Sequence, residues 1–269
     1  YRRLMAPLFA ASLASITLGL ACLAFDAGRI DRVLLLFASP TLTHITVGSW
    51  ALVLTAVLSA VLLCAWNAVA LCFPLTFVRI AEVLALLSSL VSMAYTGLLL
   101  QGIDAVPLWG SLWLPVLFVL SSLSCGFAVT IATMQLTGST RVFGFVGRRV
   151  MAGDTAIIAV ESVSAVLFAL AVIQMAQSQP AASPTEAIAS FSAAELIAGR
   201  DAWVFWGAFC VVGMAVPFVA MLAAPRARGG VSSPASLVVS LCVLIGGFAL
   251  RYGVVQAGAH PIVGLPFAG

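Results

Sequence analysis

Seven stretches of about twenty apolar residues, almost free of charge, constrain this chain more than any other feature: about 5–25, 47–70, 80–100, 108–133, 154–176, 203–224 and 234–255. At about 1.5 Å per residue, an α-helix of that length crosses the roughly 30 Å hydrocarbon core of a bilayer. None of the runs alternates polar and apolar residues over about ten positions, as a membrane β-barrel strand does. The expected fold class is all-α, a polytopic integral membrane helical bundle with seven transmembrane helices in this chain. Composition agrees. Apolar residues make up 63% of the chain and charged residues 8%, and the mean hydropathy is +1.19, whereas about a quarter of a soluble chain is charged. No long soluble stretch separates the runs, so residues 1–269 read as a single transmembrane domain.

The 12 basic residues are all Arg, and their placement orients the chain. One side receives Arg2, Arg3, Arg79, Arg141, Arg148, Arg149, Arg226 and Arg228 with almost no acid in its loops. The other receives Arg29, Arg32 and Arg200, with Arg251 near the last helix end, beside Asp26, Asp31, Asp104, Glu186, Glu195 and Asp201. The positive-inside rule makes the first side cytoplasmic and the C-terminus external. The chain opens on Tyr1, which suggests an upstream segment, and carries no signal-peptide pattern.

Several function classes drop out. His44 and His260 lie outside the apolar runs, against a haem held by imidazoles within the bundle, and CxxCH is absent. The six Cys (22, 64, 72, 125, 210 and 242) form no CxxC and read as small buried apolar residues. Walker A, GxGxxG, HExxH and GxSxG are missing, there is no Lys for a Schiff base, and nothing points to nucleic acid. The chain is expected to hold no metal, haem or iron–sulfur cluster of its own.

Polar residues within spanning helices face inward, because hydrocarbon offers no hydrogen-bond partner. On the third run Ser88, Ser92 and Tyr95 share one face, with Glu82 and Ser89 on an adjoining one. The Ser residues suit helix packing, Glu82 suits an interfacial ion pair with Arg79, and Tyr95 and Thr96 lie near the external side. Pro115, well inside the fourth run, is expected to kink it and free a carbonyl near Ser111, opening a cavity beside Trp109 and Trp113 at the depth of Tyr95. Asp154 and Glu161 are seven residues apart on the fifth run and point the same way, with Glu161 about 10 Å inside the cytoplasmic surface. A carboxylate at that depth suits either a proton relay or a structural hydrogen bond. Pro217 breaks the sixth run, and Gly246-Gly247 allows close packing on the seventh. Arg251 either snorkels to the headgroups or turns inward to pair with Asp26 or Asp104. The stretch 183–199, SPTEAIASFSAAELIAG, reads as a short amphipathic helix on the surface or against a partner.

Four segments, in order, resemble the NrfD-like, or polysulfide-reductase membrane-subunit, family. DAGRIDR (26–32) is similar to its Asp-Leu-Gly-Arg-Pro turn, and PTLTHITVGSW (40–50) to its Ser-x-Gly-x-Trp loop. YTGLLLQGIDAVPLWGSLWLPVLFVLSSLSCG (95–126) resembles its Tyr-Thr-Gly, Pro-x-Trp and Leu-Pro-x-Leu-Phe-x-x-Ser pattern, and GGFALRYGVVQAG (246–258) its closing Gly-Gly-x-x-x-Arg-Tyr helix. Departures are Ile30 for the family's Pro and Gly110 for its Asn. The family also begins with a further helix upstream of what is seen here, so at least eight helices are implied for a complete member.

The resemblance implies a respiratory membrane anchor that exchanges electrons between menaquinone or ubiquinone and an extrinsic iron–sulfur subunit, often with a molybdopterin catalytic subunit, in a prokaryotic cytoplasmic membrane. Carried onto this sequence, the quinone pocket would use Tyr95, Thr96, Asp104, Trp109 and His44, with Tyr95 bonding a carbonyl and Asp104 or His44 handling the proton. Asp26, Arg29 and Arg251 would set the charge at its mouth. Glu82, Asp154 and Glu161 would form a proton route. The rival readings are a proton-conducting subunit, a purely structural anchor, and a secondary transporter, the last needing a repeat the sequence does not display.

Overall fold

The computed structural model describes residues 2–26, 44–67, 73–177, 184–200, 202–223 and 234–264. The helices, in chain order, are α1 (Arg2–Asp26), α2 (His44–Trp66), α3 (Leu75–Gln101), α4 (Trp113–Leu136), α5 (Gly144–Gln177), α6 (Pro184–Ala198), a π-helical segment (Val204–Ala215) continuing into α7 (Val216–Ala223), and α8 (Ala235–Gly264). Short 3₁₀ turns occupy Pro107–Gly110 and Ser139–Arg141. Seven spans are long and apolar enough to cross a membrane, as expected for a polytopic helical membrane protein. Their outer faces are apolar too: on α5, Val160, Val163, Val166 and Leu170 are all at least half exposed. That is the pattern of a helix solvated by lipid.

The chain forms two compact units. The first comprises residues 1–99 and 133–144. Here α1 packs along α2, with Ser12 and Ser59 in hydrogen-bond contact at 3.4 Å. A small core of Leu62, Val78 and Ala81 joins α2 to α3, with Phe9 of α1 against it. The polar face read on α3 is a packing face. Thr55 donates to Ser88 at 2.9 Å, and Ser92 donates to the Ser88 carbonyl. Small hydroxyls let spanning helices meet closely without leaving polar groups in hydrocarbon.

The second unit comprises residues 100–132 and 145–269. Its main core gathers Phe118 of α4, Phe168 of α5, Phe205 and Phe209 of the π segment, and Leu250 and Val254 of α8. The π segment lies along α8 with Gly213 against Gly246, so close that a Cβ on Gly213 would fall 2.4 Å from the Gly246 Cα. Val216 closes the wide turn by donating its N–H to the Val211 carbonyl, immediately before Pro217, which has no N–H to give. Helix α6 is not free: Ala189, Ser192, Ala193 and Leu196 are buried on its inner face, against α8 and the 107–110 turn. The sequence signal for a surface-lying helix therefore marks a helix packed on its own chain.

Several boundaries depart from the apolar runs. α5 begins at Gly144, ten residues before the fifth run, because Arg148 and Arg149 depress hydropathy without breaking a helix; the Arg149 guanidinium lies 4.3 Å from the Phe145 ring centroid. α4 begins at Trp113, so Pro115 stands in its first turn, where a missing N–H costs nothing. The chain breaks at Ser111-Leu112 instead of kinking inside a helix. Cys22 and Cys64 are exposed on helix faces and not buried, while Cys125, Cys210 and Cys242 are half-buried. Both His lie on helices, His44 as the first residue of α2 and His260 near the end of α8.

Candidate functional site

The second unit carries a cleft of about 440 Å3 where the end of α3, the following loop and the far end of α5 meet. Its lining mixes Gln101, Asp104 and Ser111 with Ile103, Val106, Pro107, Gly110, Ala171 and Met175. Asp104 is exposed, carried on the turn before the 3₁₀ segment. Ser111 sets the wall: its carbonyl accepts the Leu114 N–H and its hydroxyl accepts the Trp113 N–H, which starts α4. Pro115 does not open this cleft by a kink: it stands in the first turn of α4, and the proline that lines the cleft is Pro107.

Trp109 faces away from this cleft. It is buried, its indole N–H donates to the Val254 carbonyl at 3.0 Å, and a Cβ on Gly258 would meet its ring at 2.2 Å. Its role is to lock the 107–110 turn onto α8. Tyr95 and Thr96 belong to the first unit. The Tyr95 ring sits on Gly48, where a Cβ would come within 2.2 Å of it, and Thr96 donates to the Met93 carbonyl. Tyr95 is therefore held by the glycine of the VGSW segment. The side chains of His44 and Asp26, and the whole of Arg29, lie outside the described residues.

A second constellation lies in the interior of this unit. Asp154 on α5 is fully buried and accepts a 3.0 Å hydrogen bond from Ser124 of α4. Glu161, 4% exposed, is hydrogen-bonded with Ser121 one turn along α4 and feels the charges of Asp154 and Arg251. Arg251 of α8 donates to the Gly247 carbonyl at 2.7 Å and to the Ser122 hydroxyl at 2.6 Å, with its guanidinium carbon 5.4 Å from the centroid of Phe118. Because α8 runs on to Gly264, Arg251 is near mid-helix and faces inward. Its partners are Ser122 and Gly247, not Asp104. α5 starts early, so Glu161 stands 17 residues from its beginning, about 25 Å along the axis.

Glu82, grouped with these acids on sequence, is elsewhere. It belongs to the first unit and accepts from the Trp66 indole at 3.2 Å, with no contact to Arg79 among the described residues. The residues that sequence reasoning missed are Ser121, Ser122 and Ser124. The run Ser-Ser-Leu-Ser in the middle of a spanning helix was the available signal.

The family profile described as "Polysulphide reductase, NrfD" matches residues 4–262. This chain belongs to the NrfD family. Members of the family are membrane subunits of quinone-linked oxidoreductases and pair with iron–sulfur and molybdopterin subunits. The match takes in both the cleft and the buried acid cluster of this NrfD chain. Among curated proteins, none matches it.

Proposed function

We propose that this NrfD-family chain exchanges electrons between membrane quinone or quinol and an extrinsic iron–sulfur subunit, with the quinone head at the Asp104 cleft. The observation that carries this reading is the cleft's make-up. Its apolar walls suit a quinone ring, and a free carboxylate and a hydroxyl are within its lining. A quinone supplies two-electron redox chemistry when bound. The chain's own part is to seat the ring between Ile103, Val106 and Met175, and to let Asp104 give or take the accompanying proton. The distribution of Arg supports an external cleft and C-terminus, in the cytoplasmic membrane of a prokaryote. The iron–sulfur subunit would then dock on the external side, with a molybdopterin subunit beyond it.

The test is quinol-dependent reduction of the partner's clusters in the purified complex. Asp104→Asn is expected to slow it by on the order of 100-fold, the scale of a positioned proton carrier, while the complex stays assembled. Wild-type rates in Asp104→Asn would remove the cleft from the reaction, and a wild type inert to quinol and quinone alike would leave a structural anchor.

A second reading, proton conduction, rests on a different observation: Asp154, Glu161 and Arg251 converge on one serine-lined seam. The two readings are compatible, the cleft handling quinone and the seam carrying protons.

A further inference from the structure

We propose that Asp154 and Ser240 together hold a resident water molecule inside the second unit. Asp154 is 0% exposed, and only its Oδ1 is satisfied, by Ser124; its Oδ2 has no hydrogen-bond partner among the described residues. Ser240 of α8 is 2% exposed, and its hydroxyl likewise has none. Buried polar atoms are almost always paired, and of the three orphans in this unit, the third being the Ser192 hydroxyl of α6, Asp154 and Ser240 are the two on α5 and α8.

No protonation state of Asp154 removes the need. Ionised, Oδ2 is a bare acceptor. With a proton on Oδ2, it is a donor with nothing to receive it. With the proton on Oδ1, Ser124 becomes the acceptor and Oδ2 remains a carbonyl oxygen without a donor.

The two residues occupy one layer. Cys125, next to Ser124, approaches the Val243 carbonyl at 3.9 Å, which sets α8 against α4 at this level. Val239, Val243 and Leu244 of α8 then pack in a single cluster with Val150, Met151 and Ile158 of α5 and with Ala128 and Ile131 of α4. Ser240 lies within that stretch of α8, and Asp154 lies within that stretch of α5. Both are on the inner stripe of their helix, Ser240 one turn from Val243 and Asp154 one turn from Ile158. Water fits because it offers two donors and two acceptors, enough to serve a carboxyl oxygen in any protonation state and a hydroxyl at once. The site does not depend on proton conduction. If protons do move along the seam, this water is the carrier beyond Asp154, leading past Ser240 towards the start of α8.

The experiment is a cryo-EM structure of the complete complex in nanodiscs, at a resolution that shows ordered water, joined to a thermal double-mutant cycle. A density peak about 2.6–3.2 Å from both Asp154 Oδ2 and Ser240 Oγ is expected. Ser240→Ala should lower Tm by about 2–4 °C in the wild-type background and leave it unchanged or higher in Asp154→Leu, where the water's main partner is gone. Equal Tm shifts in both backgrounds, or both atoms paired within the protein and no peak between them, would overturn the proposal. So would a Tm that rises with sodium chloride but not with choline chloride, because the ligand would then be a cation. If Asp154→Leu fails to fold, the density map alone decides.

Discussion

Gly213 and Gly246 meet backbone to backbone, each so near the other that a methyl group on either would lie 2.3–2.4 Å from the opposite Cα. The π segment and α8 therefore touch backbone to backbone, and neither can retreat from a packed core. Gly246→Ala is expected to cost about 1–3 kcal/mol through overpacking. Gly207→Ala, in the same π segment but with nothing within 4 Å, is the control and should be nearly neutral. Thermal unfolding in nanodiscs separates the two, and equal shifts would contradict the contact.

Trp109 is a clasp, not a lining residue of the cleft. Trp109→Phe keeps the ring on Gly258 but loses the bond to the Val254 carbonyl, a loss of about 0.5–1.5 kcal/mol. Quinol KM should stay within about twofold of wild type, since the cleft is lined by other residues. A large KM change in a folded variant would move the quinone to the Trp109 side.

Arg251 spans two acceptors at once, the Gly247 carbonyl on its own helix and Ser122 on α4. A lysine ammonium has no planar fork to match this pair, so Arg251→Lys is expected to lose about 1.5–3 kcal/mol despite keeping the charge. In a cycle with Ser122→Ala the two losses should be strongly non-additive. Additive losses would mean that the interhelical bond contributes little.

For the seam, the telling variants are Glu161→Gln and Asp154→Asn, which keep the side-chain shape while removing the exchangeable acid and replacing one acceptor oxygen with an NH2 donor. In proteoliposomes containing the whole complex, Glu161→Gln should reduce quinol-linked proton movement by on the order of 100-fold, while electron transfer with an uncoupler present stays near wild type. Unchanged proton movement in both variants would reduce the cluster to a structural one.

Much of the architecture was legible before any coordinate. Seven spans and the inward polar face of α3 follow from apolar length and from the cost of a polar group in lipid, and the tight Gly246 contact from the absence of a side chain at Gly246-Gly247. The site was legible only in pieces. Asp104 was picked from a chain signature, and it does line a cleft; Trp109 came from the same signature and serves packing instead. Glu82 and Glu161 look alike as lone acids in apolar runs, yet one caps a Trp66 indole and the other sits among serines near an arginine. Nothing local distinguishes them, because the distinction belongs to the neighbouring helix.

By itself, the sequence determined that this chain is a helical membrane protein of the NrfD kind, since twenty apolar residues have one low-energy way to cross a bilayer and the signature residues recur in order. Tertiary structure alone decided the rest: that α5 begins at Gly144 and sets Glu161 beside Ser121, that Pro115 starts a helix instead of bending one, and that Arg251 answers Ser122. These outcomes depend on which inner stripes face each other, and helix packing, unlike helix formation, is set by contacts between residues far apart in the chain.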